Sequence, residues 1–233
     1  MTTTRWVLFD LDGTLLDYDA AEAAAVTATL TAGGLRATPE LLASYRRINA
    51  DHWAALERGV TTAARLRVER WEEVLDLHEA DARVDPGALA EHYLGVLCTG
   101  SELIEGALEV VTAVAATHRV AFITNGLADV QRPRLAGSPL SNAADVVIIS
   151  DEVGAAKPDP AIFDAAFAAM GWPRHDQVVM VGDSLSADIA GAAAFGLPSV
   201  LVRGSGAHAP PPADGPQPTW IVDDLRELPP LLQ

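Results

Sequence analysis

The chain has 233 residues, 49% hydrophobic and 21% charged, the composition of a folded protein long enough for one large domain or a domain carrying an insertion. A formal net charge of −16 repels nucleic acid and anionic membrane surfaces, so neither is expected as a partner, whereas a small anionic substrate stays compatible if a metal and local donors override the distant field. The lone Cys98 excludes an internal disulfide and argues against a cysteine-ligated metal, and the six histidines show no close ligand spacing.

Short apolar runs, several rich in β-branched residues, mark strands at Trp6–Phe9, Val120–Thr124, Val146–Ile149, Val178–Val181, Ser199–Val202 and Trp220–Val222. After the first run, some ninety residues pass without another strand. Helical patterns fill them at Ala20–Ala32, Pro39–Arg58, Thr61–Leu75 and Asp85–Leu97, punctuated by Gly33-Gly34, Gly59 and Pro86-Gly87. From the second run onward, strands alternate with helical or loop stretches, with helix-like patterns at Leu103–Ala116, Ala161–Met170 and Ala187–Phe195. Continuous apolar strands between amphipathic helices indicate a parallel sheet covered on both faces. The expected architecture is an α/β, doubly wound, Rossmann-like core of residues 1–16 and 99–233, with an all-helical cap inserted at 17–98. The proline-rich stretch Ala209–Thr219 reads as a surface loop returning to the sheet. No apolar run reaches ~18 residues, and Met1–Trp6 lacks a basic segment followed by an apolar one, so the chain is expected in the cytoplasm.

Chemistry concentrates where the strands end. Trp6–Phe9 runs into Asp10-Leu11-Asp12-Gly13-Thr14, and residues two apart on a strand share a face, so Asp10 and Asp12 are expected to point near one another. Val120–Ile123 ends in Thr124-Asn125-Gly126, a hydroxyl and an amide able to donate to an oxyanion. Val178–Val181 ends in Gly182-Asp183-Ser184, with Asp188 following. Each signal alone also fits a turn or a helix cap. Together they place Asp10, Asp12, Asp183 and Asp188 on one edge of one sheet, where open α/β sheets bind ligands. Four clustered carboxylates repel unless a divalent cation neutralises them, and magnesium takes oxygen ligands at about 2.0–2.1 Å while sharing phosphate oxygens. The only lysine, Lys157, stands against fifteen arginines in Ala155-Ala156-Lys157-Pro158-Asp159-Pro160. A compact point charge fits a tight anion site that a planar fork does not. With Thr124 and Asn125 it forms the candidate holder of phosphoryl oxygens.

These segments, Asp10-Leu-Asp12-Gly-Thr14, Thr124-Asn125, Lys157-Pro158 and Gly182-Asp183-Ser184-x3-Asp188, resemble in order and spacing the four motifs of the haloacid dehalogenase-like (HAD) superfamily, and the insert resembles its type-1 helical cap. The resemblance implies that Asp10 is a nucleophile forming an aspartyl-phosphate, that Asp12 is the acid/base, and that Lys157 and Mg²⁺ offset transition-state charge. Asp183 would ligate the metal, with Asp188 ligating or orienting. An acid at position 12 separates the chain from the superfamily's dehalogenases, and an insert without lysine separates it from the Schiff-base phosphonate hydrolases. Phosphosugar mutases share the core and stay open beside simple hydrolysis, as does a phosphometabolite-binding protein that retains the fold without catalysis.

Within the superfamily, Tyr45–Trp53, Gly59–Trp71, the run from Ser150 to Asp159 and Pro218-Thr219-Trp220 resemble the bacterial pyrimidine (house-cleaning) 5'-nucleotidases. The implied activity is hydrolysis of a small phosphorylated metabolite, most readily a nucleoside 5'-monophosphate, with phosphoglycolate or a sugar phosphate as alternatives, by a monomer or homodimer. Two departures stand out. Pro133, Gly137 and Pro139 are expected to break the helix after the second motif, and the cap is rich in alanine and arginine. Arg46, Arg47, Asn49, His52 and Trp53 could meet a base or sugar from one cap helix, or form a solvated face. Trp53 and Trp71 fit cap core as well as stacking surfaces.

Overall fold

The computed structural model describes residues 5–78, 83–204 and 214–232. Six parallel strands, β1 (Trp6–Phe9), β2 (Arg119–Thr124), β3 (Val146–Ile149), β4 (Val178–Gly182), β5 (Ser199–Val202) and β6 (Trp220–Val222), form one sheet in the order β3-β2-β1-β4-β5-β6. The chain winds outward from β1 to β3, then restarts at β4 on the other side of β1. This is a doubly wound sheet with its switch point at the β1–β4 boundary, where such folds open a crevice at the strands' carboxyl ends. All six expected strands are present. The proline-rich stretch that was expected to return as a loop lies outside the described residues as far as residue 213.

Alternation along the strands sorts the core into two layers. Val7, Phe9, Val120, Phe122, Val179 and Val181 pack on one face with Val110, Val111 and Val114 of α5, the helix Ala107–Ala115. Trp6, Leu8, Ala121, Ile123, Val178 and Met180 pack on the other with Ile162, Phe163, Ala166, Phe167 and Met170 of Pro160–Met170. Full burial of each such side chain contributes about 1.5–3 kcal/mol, so two apolar layers fix the sheet's register. Phe9 lies level with Phe122 of β2 and Val181 of β4. Asp10, Thr124 and Asp183, one or two residues further on, therefore leave the sheet at the same edge.

The chain divides into two compact units, Met1–Tyr18 with Ser101–Gln233, and Asp19–Gly100. The second is built on α1 (Tyr18–Ala32), α2 (Pro39–Glu57), α3 (Ala63–Leu77) and α4 (Pro86–Leu97). Thr38, Thr62 and Asp85 cap the last three through their side chains, and proline opens α2 and α4. Tyr45, Trp71 and Tyr93 form its aromatic centre, with ring centroids 4.8–5.7 Å apart.

The helix after β2 corrects the sequence expectation. Ala128–Gly137 (α6) runs straight through Pro133 and ends just before Ser138, ahead of Pro139. A proline inside a helix forfeits one backbone hydrogen bond. Here Gln131 and Arg134 flank it, both buried and hydrogen-bonded through their side chains to the β1 turn, so tertiary anchoring holds the backbone helical.

Candidate active site

Three carboxylates converge beyond β1 and β4. Oxygen atoms of Asp10, Asp183 and Asp188 lie within 4.8 Å of one another. Asp10 follows β1 directly, and its N–H donates to the Val181 carbonyl at 2.9 Å, tying it to β4. Asp183 follows β4 and accepts from Thr14 Oγ1 at 3.1 Å. Gly13 makes that approach possible: its φ is +86°, and a Cβ there would stand 2.5 Å from Asp183 Oδ2. Asp188 belongs to a wide turn, Leu185–Ile189, in which the Ile189 N–H reaches back five residues to Ser184. Such turns recur at functional sites. This one returns Asp188 over the end of β4, where its Oδ2 accepts from the Ser184 N–H at 3.0 Å.

Lys157 is buried among these acids. Its Nζ donates to Asp10 Oδ1 at 2.5 Å, Asp188 Oδ1 at 2.7 Å and the Ile123 carbonyl at 3.0 Å. Burial disfavours its charge, but Asp10 and Asp188 outweigh that and hold the ammonium pKa above the ordinary lysine value. Burial also pushes the Asp10 carboxyl well above the usual range; Lys157 opposes this, while Asp188 and Asp183 add to it. Asp183 is raised to about 6, by burial first and then by Asp188. One ammonium against three carboxylates leaves two negative charges uncompensated when all are ionised. An all-oxygen donor set with that excess suits a hard divalent cation such as Mg²⁺.

The remaining motif residues divide. Thr124 ends β2 fully buried. Asn125 clamps the lysine loop: its Oδ1 accepts from the Lys157 N–H at 2.7 Å, and its Nδ2 donates to the Lys157 carbonyl at 2.9 Å. Asp12 is not part of the three-carboxylate group. The strand stops at Phe9, and the Thr14 and Leu15 N–H groups turn back onto the Leu11 carbonyl, so two-residue alternation no longer governs position 12. Its carboxylate instead meets α6, accepting from Arg134 Nη1 and Gln131 Nε2, each at 2.6 Å. Sequence reading missed Gln131 and Arg134. Their one signal, polar residues three apart on a helical face, was hidden by the proline between them.

In the helical unit, Trp71 is fully buried. Asn49 is buried too, its amide joining Glu22 and Arg70 at 2.8 Å each. Arg46 and Arg47 are exposed, and Arg47 lies 3.7 Å from Asp51. His52 contacts Glu73 at 3.2 Å, and Trp53 is half-buried.

The sequence profile of haloacid dehalogenase-like hydrolases matches residues 4–196. The chain belongs to that family. This HAD hydrolase is 32% identical over 230 residues to the pyrimidine 5'-nucleotidase YjjG of Escherichia coli K12, covering 97% of both chains. It is also 32% identical over 230 residues to a phosphoglycolate phosphatase of Colwellia psychrerythraea, covering 95% of this chain and 94% of that one. The HAD hydrolase YfnB of Bacillus subtilis, solved bound to magnesium, superposes with a TM-score of 0.89 at 28% identity over all of both chains. The defluorinating L-2-haloacid dehalogenase Rha0230, at 22% identity and a TM-score of 0.78, shares the fold. The enzyme class is phosphoric monoester hydrolase. No helix among the described residues is long and apolar enough to cross a membrane.

Proposed function

We propose that this HAD hydrolase is a magnesium-dependent, cytoplasmic phosphatase acting through an aspartyl-phosphate on Asp10, with nucleoside 5'-monophosphates as preferred substrates. The observation that carries the reading is the Asp10–Asp183–Asp188 group closed around the single lysine. Asp10 and Asp183 would hold the metal, and Asp188, both of whose oxygens already accept hydrogen bonds, would orient Lys157 and complete the group. When bound, the metal supplies positive charge against the phosphoryl oxygens.

The chain's own residues do the rest. A carboxylate oxygen of Asp10 forms a bond to phosphorus as the bond to the ester oxygen breaks. Asp12 gives its proton to that departing oxygen. Asp12, now a carboxylate, takes a proton from the water that attacks phosphorus, breaking the Asp10–phosphorus bond and releasing inorganic phosphate. Thr124 and Lys157 hold the phosphoryl oxygens, Lys157 through its charge, because its three N–H donors are already engaged. Asn125 joins them and also fixes the lysine through its backbone.

The substrate reading draws on the nucleotidase relative, and the phosphoglycolate phosphatase, at the same percent identity, keeps a short acid phosphate as the second reading. Phosphate release with Mg²⁺ across nucleotides, sugar phosphates and short acid phosphates, ranked by kcat/KM, separates them. Pyrimidine monophosphates at the head support the nucleotidase reading. A phosphoglycolate or hexose phosphate preference rejects it, and release from no ester rejects the phosphatase.

A further inference from the structure

The carboxylate of Asp12 is held by a circuit whose two buried donors, Gln131 and Arg134, lie outside the four motifs. Arg134 Nη1 donates to Asp12 Oδ1 and Gln131 Nε2 to Asp12 Oδ2. The same Gln131 Nε2 donates to Thr124 Oγ1 at 2.9 Å, and Arg134 Nη1 to Gln131 Oε1 at 3.1 Å. Arg134 is 1% exposed, Gln131 2% and Thr124 0%. Residues three apart share a helix face, so α6 presents both donors as one unit. Gly126 clears their path, since a Cβ there would stand 2.8 Å from the Gln131 side chain.

Holding α6 helical through Pro133 does not by itself call for a buried charge. Burying a guanidinium costs several kcal/mol, and such pairs often contribute no more than an apolar replacement would. What the circuit does provide is direction. Both oxygens are held by donors from α6, which restrains the direction of the Asp12 carboxylate, while its side chain keeps 21% exposure.

We propose that Arg134 and Gln131 are positioning residues that aim the Asp12 carboxylate for proton transfer to the leaving oxygen. The inference rests on the acid/base role of Asp12 given above. A general acid works within about 2.6–3.2 Å of its target and contributes about 10²–10⁴-fold, so a carboxylate free to rotate forfeits part of that factor. The forfeited part depends on the leaving group. An alkoxide needs the proton, whereas a nitrophenolate departs without it.

The test is kcat/KM, which spans the steps up to departure of the leaving group, for an alkyl phosphate ester and p-nitrophenyl phosphate. The proteins are wild type, Asp12→Asn, Arg134→Met, Arg134→Lys and Gln131→Met. Both methionine variants are expected to lose about ten- to hundredfold on the alkyl ester and less than about threefold on the nitrophenyl ester. Asp12→Asn should show the same bias with a larger loss, and Arg134→Lys should recover part of it. Equal losses on both esters, or no loss, overturn the inference while leaving the phosphatase standing. If circular dichroism shows Arg134→Met unfolded, the nearly isosteric Gln131→Met decides. A wild type silent on both esters overturns the phosphatase reading, and the inference with it.

Discussion

Lys157 has three N–H donors and three acceptors around it, Asp10, Asp188 and the Ile123 carbonyl, so its geometry leaves nothing spare. A planar guanidinium cannot follow three converging acceptors. Lys157→Met leaves two buried carboxylates without their cation and is expected to cost about 3–5 kcal/mol in denaturant melts without magnesium. Asp10→Asn is expected to behave in the opposite way. It removes one of three crowded negative charges, so the melting temperature should not fall, while turnover drops by several orders of magnitude because the nucleophile is gone. Gly13→Ala meets both a positive φ, costing about 1–2 kcal/mol, and the Asp183 carboxylate, so weaker magnesium binding should accompany the lower stability in a metal titration. Asp10, Asp183 and Lys157 were legible in the sequence because each follows a strand end or stands alone as a residue type. The partners of Asp12 were not, because Pro133 hides the helical face that Gln131 and Arg134 share.

At the scale of elements, propensity and tertiary contact pull apart at α6. Pro133 argues against a helix, and the side chains on either side of it win by anchoring to the β1 turn. The wide turn at Leu185–Ile189 escaped reading for a related reason: a helical period continues through it while its hydrogen bonds lengthen by one residue. Strands were legible throughout as apolar runs, which are continuous in β1, β4 and β5 because these are buried on both faces, and which persist in the partly exposed edge strands β3 and β6. The β2–β3 pairing also carries a pH-dependent contact. Asp145 accepts from Arg119 Nη2 at 3.0 Å and from the Val120 N–H at 3.2 Å, and the Arg119 hydrogen bond holds its carboxyl below the ordinary value. A lowered pKa means that the unfolded chain binds the proton first, so this contribution is present above pH ~4 and is lost as pH falls through the folded value. The pair is partly exposed, so its size is about 0.5 kcal/mol. The stability difference between wild type and Asp145→Asn should shrink toward zero on acidification, measured by urea melts at stepped pH.

For the whole molecule, the order β3-β2-β1-β4-β5-β6 makes the site: one reversal of winding gathers residues from distant segments at a single sheet edge. That edge carries excess negative charge in a chain whose net charge is already −16, so a bound divalent cation should stabilise the folded state. Saturating Mg²⁺ at about a hundred times its Kd should raise Tm by on the order of 5–10 °C, and Asp183→Asn should abolish the rise. The central claim, that Asp10 carries the phosphoryl group, is tested most directly by quenching the enzyme in acid during turnover with Mg²⁺ and mapping the modified peptide by mass spectrometry. One phosphoryl group on the peptide containing Asp10, absent from Asp10→Asn, is the expected result. A phosphoryl group on another residue, or phosphate release by Asp10→Asn at the wild-type rate, would contradict it.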